Sequence, residues 1–278
     1  MATAEVPVGE TTVTQRLLST AAARGAHPAL HGGSAVTPCS YPELAVTLQR
    51  AAAGLAWRGV RPRDVVGVYV ADALSYILAS HAIRAAGAVP SPVAGELTVP
   101  EIASQLADCG ARILITSHTL AAAGLAAADR SWVRQVISFG EAPGATPFSA
   151  LLGLGSMCPT TVRPHDLALL PYARRPDGAL ARAGVTHLDM AGDHARLAAG
   201  AGITERDVIV AAPPAGDGRA YTALVDHALM RGTTMIATAA CELAIAAAVR
   251  EHQGTVAIVP GSLDLAAVSP LRVVTVDG

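Results

Sequence analysis

VVGVYV at Val65–Val70, then ADALSYILASHAIRAAG at 71–87 and AVPSPV at 88–93, is the stretch that decides the fold. The first run is valine-rich and apolar, as a strand buried on both faces must be. Ala73–Ala86 follows as a helical stretch, and Ala88–Pro92 reads as a second short strand. Strand, helix and strand in this order require a crossover, and hence a parallel pair. Working outward, Ile113–Thr116, Val133–Ser138 and Leu167–Pro171 continue the series. Val208–Ala211, Thr233–Thr238, Thr255–Val259 and Leu271–Val276 repeat it in the second half. The alternation predicts an α/β chain with mainly parallel sheets flanked by helices.

Two helix starts carry their own signal. Ser40-Tyr41-Pro42-Glu43 places a capping serine three residues before a glutamate, with proline in the first turn. Leu44, Leu48, Ala51 and Leu55 then recur on one helical face. Thr98-Val99-Pro100-Glu101 repeats the device ahead of Ile102 and Leu106. Prolines and glycines cluster between Gly140 and Pro164, with a short helix expected around Phe148–Leu154. The expected organisation is a flexible N-terminus (1–12), a first α/β lobe (13–140), a connection (141–165) and a second α/β lobe (166–278).

Half of the chain is apolar but only 3% is aromatic, so the core must be built from Ala, Val, Leu and Ile. Few rings remain to stack on bases, and a net charge of −2 gives no footprint for nucleic acid or an anionic membrane. No lysine occurs, all twenty Lys-plus-Arg positions being arginine. Schiff-base chemistry, a lysine general base and a lysine phosphate clamp are excluded with it. Cys39, Cys109, Cys158 and Cys241 form no C-x-x-C pair and read as small buried residues of a reducing compartment. The N-terminus lacks a basic signal region, and the Ala-rich run at 113–128 is too short to span a bilayer. A cytoplasmic location is expected.

A resemblance accumulates along the first 120 residues. Its segments are Cys39–Leu44, Ala52-Ala53-Gly54-Leu55, Arg58-Gly59-Val60, Arg63-Asp64-Val65-Val66, Ile83–Val89, Glu101-Ile102 and Asp108–Arg112. In this order and spacing they resemble the opening of adenylate-forming acyl-CoA ligases, the 4-coumarate–CoA ligase-like family. The resemblance implies the two-lobed N-terminal domain of these enzymes and covers almost the whole chain, thinning in the middle and second half.

Asp166-Leu167-Ala168-Leu169-Leu170-Pro171-Tyr172 looks like the strand that enters this family's phosphate loop, and Thr186-His187 like the Thr-His pair beyond it. Between them the family places a Ser/Thr/Gly-rich loop ending in Pro-Lys-Gly. Here the segment is Ala173-Arg174-Arg175-Pro176-Asp177-Gly178-Ala179-Leu180-Ala181-Arg182. A polyphosphate cradle needs consecutive approachable amides and a cation. Pro176 has no N–H, Asp177 adds negative charge, and Ala181 stands where the lysine would. The vestigial site is therefore Tyr172, Arg174, Arg175, Asp177, Gly178, Arg182, Thr186 and His187. Two readings remain open for its arginines: a solvated loop, or an alternative anion clamp, since guanidinium forks suit phosphate.

Further on, Asp207–Val210 and Ala212-Pro213 resemble the strand before the family's Leu-Pro-x-x-His segment, with Gly216 at the histidine position. The family's adenine segment, metal-associated acid, ribose aspartate and catalytic-lysine domain would follow Gly278. The expectation is an N-terminal part that cannot perform the family's domain rotation.

Other constellations are weaker. His187, Asp189, Asp193 and His194 lack the i, i+4 histidine pair of a helical zinc site and read as a capped helix end. His81 and His227 read as satisfied or solvent-facing. Ser156, Ser262 and Ser269 lack a nucleophile-elbow context. The expectation is a non-catalytic homologue acting by binding, with no cofactor and with ATP or AMP the less favoured occupant. Its expected partner is an identical copy, a full-length ligase or a carrier-protein enzyme. The alternative is a carboxylate-activating ligase with atypical ATP contacts or a complementing chain.

Overall fold

The computed structural model describes residues 12–31, 37–155, 160–213, 218–260, 263, 265 and 271–276. Helix α1 (Val13–Ala21) leads to strands β1 (Pro28–His31) and β2 (Cys39–Ser40) and helix α2 (Tyr41–Trp57). A βα series follows: β3 (Val65–Tyr69), α3 (Ala73–Ala85), β4 (Val89–Pro92), α4 (Val99–Asp108), β5 (Ile113–Ser117), α5 (Ala121–Ala128), β6 (Gln135–Phe139) and β7 (Thr146–Pro147). Next come β8 (Leu167–Leu169), β9 (Tyr172–Arg174), β10 (Leu180–Arg182), β11 (Val185–Thr186) and α6 (His187–Gly200). The chain continues with β12 (Val208–Ala211), α7 (Arg219–Arg231), β13 (Thr234–Ala237), α8 (Glu242–His252), β14 (Val256–Pro260) and β15 (Arg272–Val276).

Two large sheets organise most of these strands, beside the antiparallel pairs β8–β11 and β9–β10. A five-stranded sheet runs β4-β3-β5-β6-β7, all parallel. A six-stranded sheet runs β15-β14-β12-β13-β1-β2, parallel except for the β1–β2 pair. The α/β class with mainly parallel sheets is as the sequence predicts.

Alternation along each strand explains the layering. Val66, Val68, Ile113 and Ile115 on one sheet, and Ile209, Ala211, Val256 and Ile258 on the other, enter a shared core with α2, α3 and α7. The intervening Tyr69 and Leu114 face a second core with α4 and α5. Val210, Ala257 and Val259 face a third with α8. Period-two side chains thus load both faces of both sheets, and one helical layer is sandwiched between them.

This layering departs from the expected division at 141–165. Strand β1, from the first part of the chain, pairs with β13 through Leu30↔Met235 and His31↔Ile236. The connection itself supplies β7 to the five-stranded sheet, and its short helix is a single 3-10 turn at Phe148–Leu151. Thr12, expected to be flexible, is the buried cap of α1: its hydroxyl accepts from Gln15 N at 3.1 Å. Residues 1–11, Cys158, Ser156, Ser262, Ser269 and Gly216 lie outside the described residues.

Both capping boxes form. Glu43 accepts from Ser40 N at 2.8 Å and Glu101 from Thr98 N at 2.9 Å. Small residues allow close approach: a Cβ at Gly54 of α2 would lie 2.4 Å from Leu151 O. Two buried tyrosines satisfy their hydroxyls, Tyr41 on Leu229 O and Thr233 O, and Tyr221 on Ala212 O.

Candidate functional site

Strand β8 runs on through Leu170, whose N–H bonds Pro90 O at 2.9 Å, and delivers Tyr172 beside α4. From there the segment Tyr172–Arg182 is a β-hairpin, with Leu180↔Arg174, Ala181↔Ala173 and Arg182↔Tyr172 in register. Its turn is closed by Gly178 N to Arg175 O at 2.9 Å, with Gly178 at φ +83°. Proline at the second turn position presets φ, and glycine carries the positive φ.

The hairpin engages its own donors. Arg175 N bonds Ala179 O at 2.8 Å, and Ala179 N bonds the Asp177 carboxylate at 3.0 Å. Arg174 reaches Gly178 O and the Glu101 carboxylate, both at 2.8 Å. The Glu101 carboxyl is pushed down to about 2, first by the Thr98 hydroxyl, then by the Thr98 N–H and Arg174. Arg182 lies 3.6 Å from Asp108, and the buried Tyr172 hydroxyl donates to the same carboxylate. Burial and the Asp108 contact raise the Tyr172 phenol. These arginines stay solvent-exposed along the hairpin. Arg174 and Arg182 pair along α4 and Arg175 is exposed.

Thr186 and His187 are placed apart from that network. The Thr186 hydroxyl caps α6, accepting from Asp189 N at 3.1 Å and donating to its carboxylate at 2.7 Å. His187 Nδ1 is buried with no partner among the described residues, and burial lowers its pKa to about 4. Asp193, further along α6, pairs with Arg196 and with Arg219 of α7. No group of three or more His, Cys, Asp or Glu among the described residues could hold a metal ion.

A buried polar cluster escapes sequence reading. Arg84 Nη1 bonds Asp226 at 2.6 Å, and His81 lies between Thr14 (2.8 Å) and Asp226 (3.1 Å). His81, His227 and His194 are all buried, so none faces solvent as one of the readings allowed. Cys241 is exposed, and Cys39 and Cys109 are half-buried, in contrast to the expected burial. The Arg84–Asp226 pair links α3 to α7 inside the middle layer and acts as a structural fastening.

Beside the Asp193–Arg219 pair opens a recess of about 460 Å³ lined by Leu197, Ala220, Leu224 and Val274. No helix among the described residues is long and apolar enough to cross a membrane.

Comparison with known proteins gives these features a frame. Feruloyl-CoA synthase of Amycolatopsis sp. is 41% identical over 99 residues, which is 35% of this chain and 20% of that protein. A long-chain-fatty-acid-CoA ligase of Archaeoglobus fulgidus superposes with a TM-score of 0.81 at 20% identity, covering 93% of this chain and 53% of that one. A benzoate CoA ligase of Burkholderia xenovorans gives 0.79 at 22% identity, covering 94% and 55%. The chain thus spans a fifth of the curated relative's length and about half of the first of these structures. The AMP-binding enzyme family profile matches residues 17–264. The sheets, the strand order and this match along most of the sequence make the chain a member of the AMP-binding enzyme family.

Proposed function

We propose that this chain is a non-catalytic member of its family that acts by binding. One observation carries the reading: the hairpin at Tyr172–Arg182 already uses the groups a polyphosphate would need. The amides of Arg175, Gly178 and Ala179 are bonded within the turn, and Arg174 and Arg182 are held by carboxylates. A ligand at this segment would have to displace those partners before it met a free donor. No lysine exists to offset the loss. ATP and AMP therefore fit these residues poorly.

ATP–pyrophosphate exchange across a panel of aliphatic and aryl carboxylates, paired with ATP and AMP calorimetry, tests the proposal. Neither exchange above background nor titratable heat is expected. Exchange by the chain alone would overturn it.

A second reading, a ligase completed by another polypeptide, draws on the recess between α6, α7 and β15. Its apolar wall and adjacent charged pair suit an acyl or aryl acid. Exchange appearing only on addition of a complementing polypeptide would favour this reading.

For partners, a second copy, a full-length ligase or a carrier-protein enzyme is proposed. Trp57 and Trp132 are 73% and 69% exposed and Leu243 is 84% exposed, and large exposed apolar side chains of this kind favour association.

A further inference from the structure

Where strands β3, β5 and β6 begin, three arginines from separate segments line one cavity of about 510 Å³. Arg58 ends α2, Arg112 precedes β5 and Arg134 precedes β6. Backbone bonds hold these segments together: Arg134 N reaches Arg112 O at 2.8 Å, and Arg58 N reaches Gly54 O at 3.2 Å. Some exposed arginines are tied to acids, as Arg63 is to Asp166 and Arg272 to Asp207. Arg58, Arg112 and Arg134 have no side-chain hydrogen bond or ion pair among the described residues.

Asp64, the one carboxylate on the wall, accepts instead from Arg61 N at 2.8 Å. Arg58 Nε is shielded from solvent with no acceptor, and its guanidinium lies 5.5 Å over the Trp57 ring. The donors that an entering oxyanion would meet are the guanidinium ends that line the cavity. Guanidinium forks match phosphate oxygens, and a walled cleft of one sign concentrates counter-ions.

We propose that this cavity binds the phosphate of a small phosphate monoester, its volume leaving room for the esterified group. None of Tyr172 to Arg182 lines it, so the outcome of the pyrophosphate-exchange assay does not bear on it.

The chain's two tryptophans, Trp57 and Trp132, lie in the segments that carry Arg58 and Arg134 and so supply a readout. Inorganic phosphate and phenyl phosphate are titrated at constant ionic strength against sodium chloride while tryptophan fluorescence is followed. Both phosphates are expected to give a saturable change, with phenyl phosphate the tighter, and chloride none. Arg112→Gln with Arg134→Gln is expected to weaken both at least about tenfold, each lost charge-assisted bond being worth that much. Arg250→Gln, on α8 and outside the cavity, is expected to leave both unchanged. If the double variant fails to keep its far-ultraviolet dichroism, Arg112→Lys and Arg134→Lys singly carry the test. They keep the charge and remove the fork, and weaker binding is expected. A response matched by chloride, an unaltered midpoint in the variants, or binding of a polyglutamate peptide in place of phosphate would overturn the proposal.

Discussion

Asp226, 1% exposed, holds its charge inside the middle layer because Arg84 and His81 face it. Burial opposes that charge, but Arg84 and then His81 outweigh it and keep the carboxyl well below the usual range. Removing one partner of a buried pair strands the other, at a cost of about 3–5 kcal/mol. Asp226→Ala is therefore expected to lower stability by that amount in urea denaturation, and adding Arg84→Met to restore part of it. His194 gives a second residue-scale expectation. Burial, with Arg84 and His227 nearby, outweighs Asp226 and Asp193 and lowers its pKa to about 4. A histidine depressed in the folded state is protonated more readily when unfolded. Its contribution is undiminished above about pH 6.5 and is lost progressively as pH falls towards 4. The loss is roughly 3 kcal/mol at most. Urea midpoints at pH 7 and 5 should show the decline, and His194→Gln should make it shallower, His187 keeping its own share.

Helix α2 shows how element packing overrides local propensity. Gly54→Ala would gain about 1 kcal/mol of helix propensity. The new methyl, however, would sit 2.4 Å from Leu151 O and 2.6 Å from its Cα, and backbone cannot step aside as a side chain can. A net loss of about 1–2 kcal/mol is expected in thermal unfolding. The strands were legible because buried runs such as Val65–Tyr69 load both faces. The helix starts at Ser40 and Thr98 were legible because capping is local. The hairpin was half legible. Arg175-Pro176-Asp177-Gly178 carries the proline and glycine of a tight turn, but its flanking strands have only three residues each and leave no periodicity. The Arg84–Asp226 pair spans 142 residues of sequence, and nothing local in an Ala-rich helix marks such a contact. The three-arginine cavity hid for the same reason, since its members come from three segments.

For the whole molecule, exposed Trp57, Trp132 and Leu243 set an expectation of self-association. Light scattering should return a mass above the 28.1 kDa of one chain, and a stable monomer at micromolar concentration would count against it. The sandwiched helical layer has its own consequence. Because α2, α3 and α7 bury side chains against both sheets at once, melting of either sheet would expose the inner face of the other and leave it only its smaller outer core. Heating should give a single calorimetric endotherm whose van 't Hoff and total enthalpies agree. A cut in the Pro/Gly-rich connection should release no half able to refold by itself.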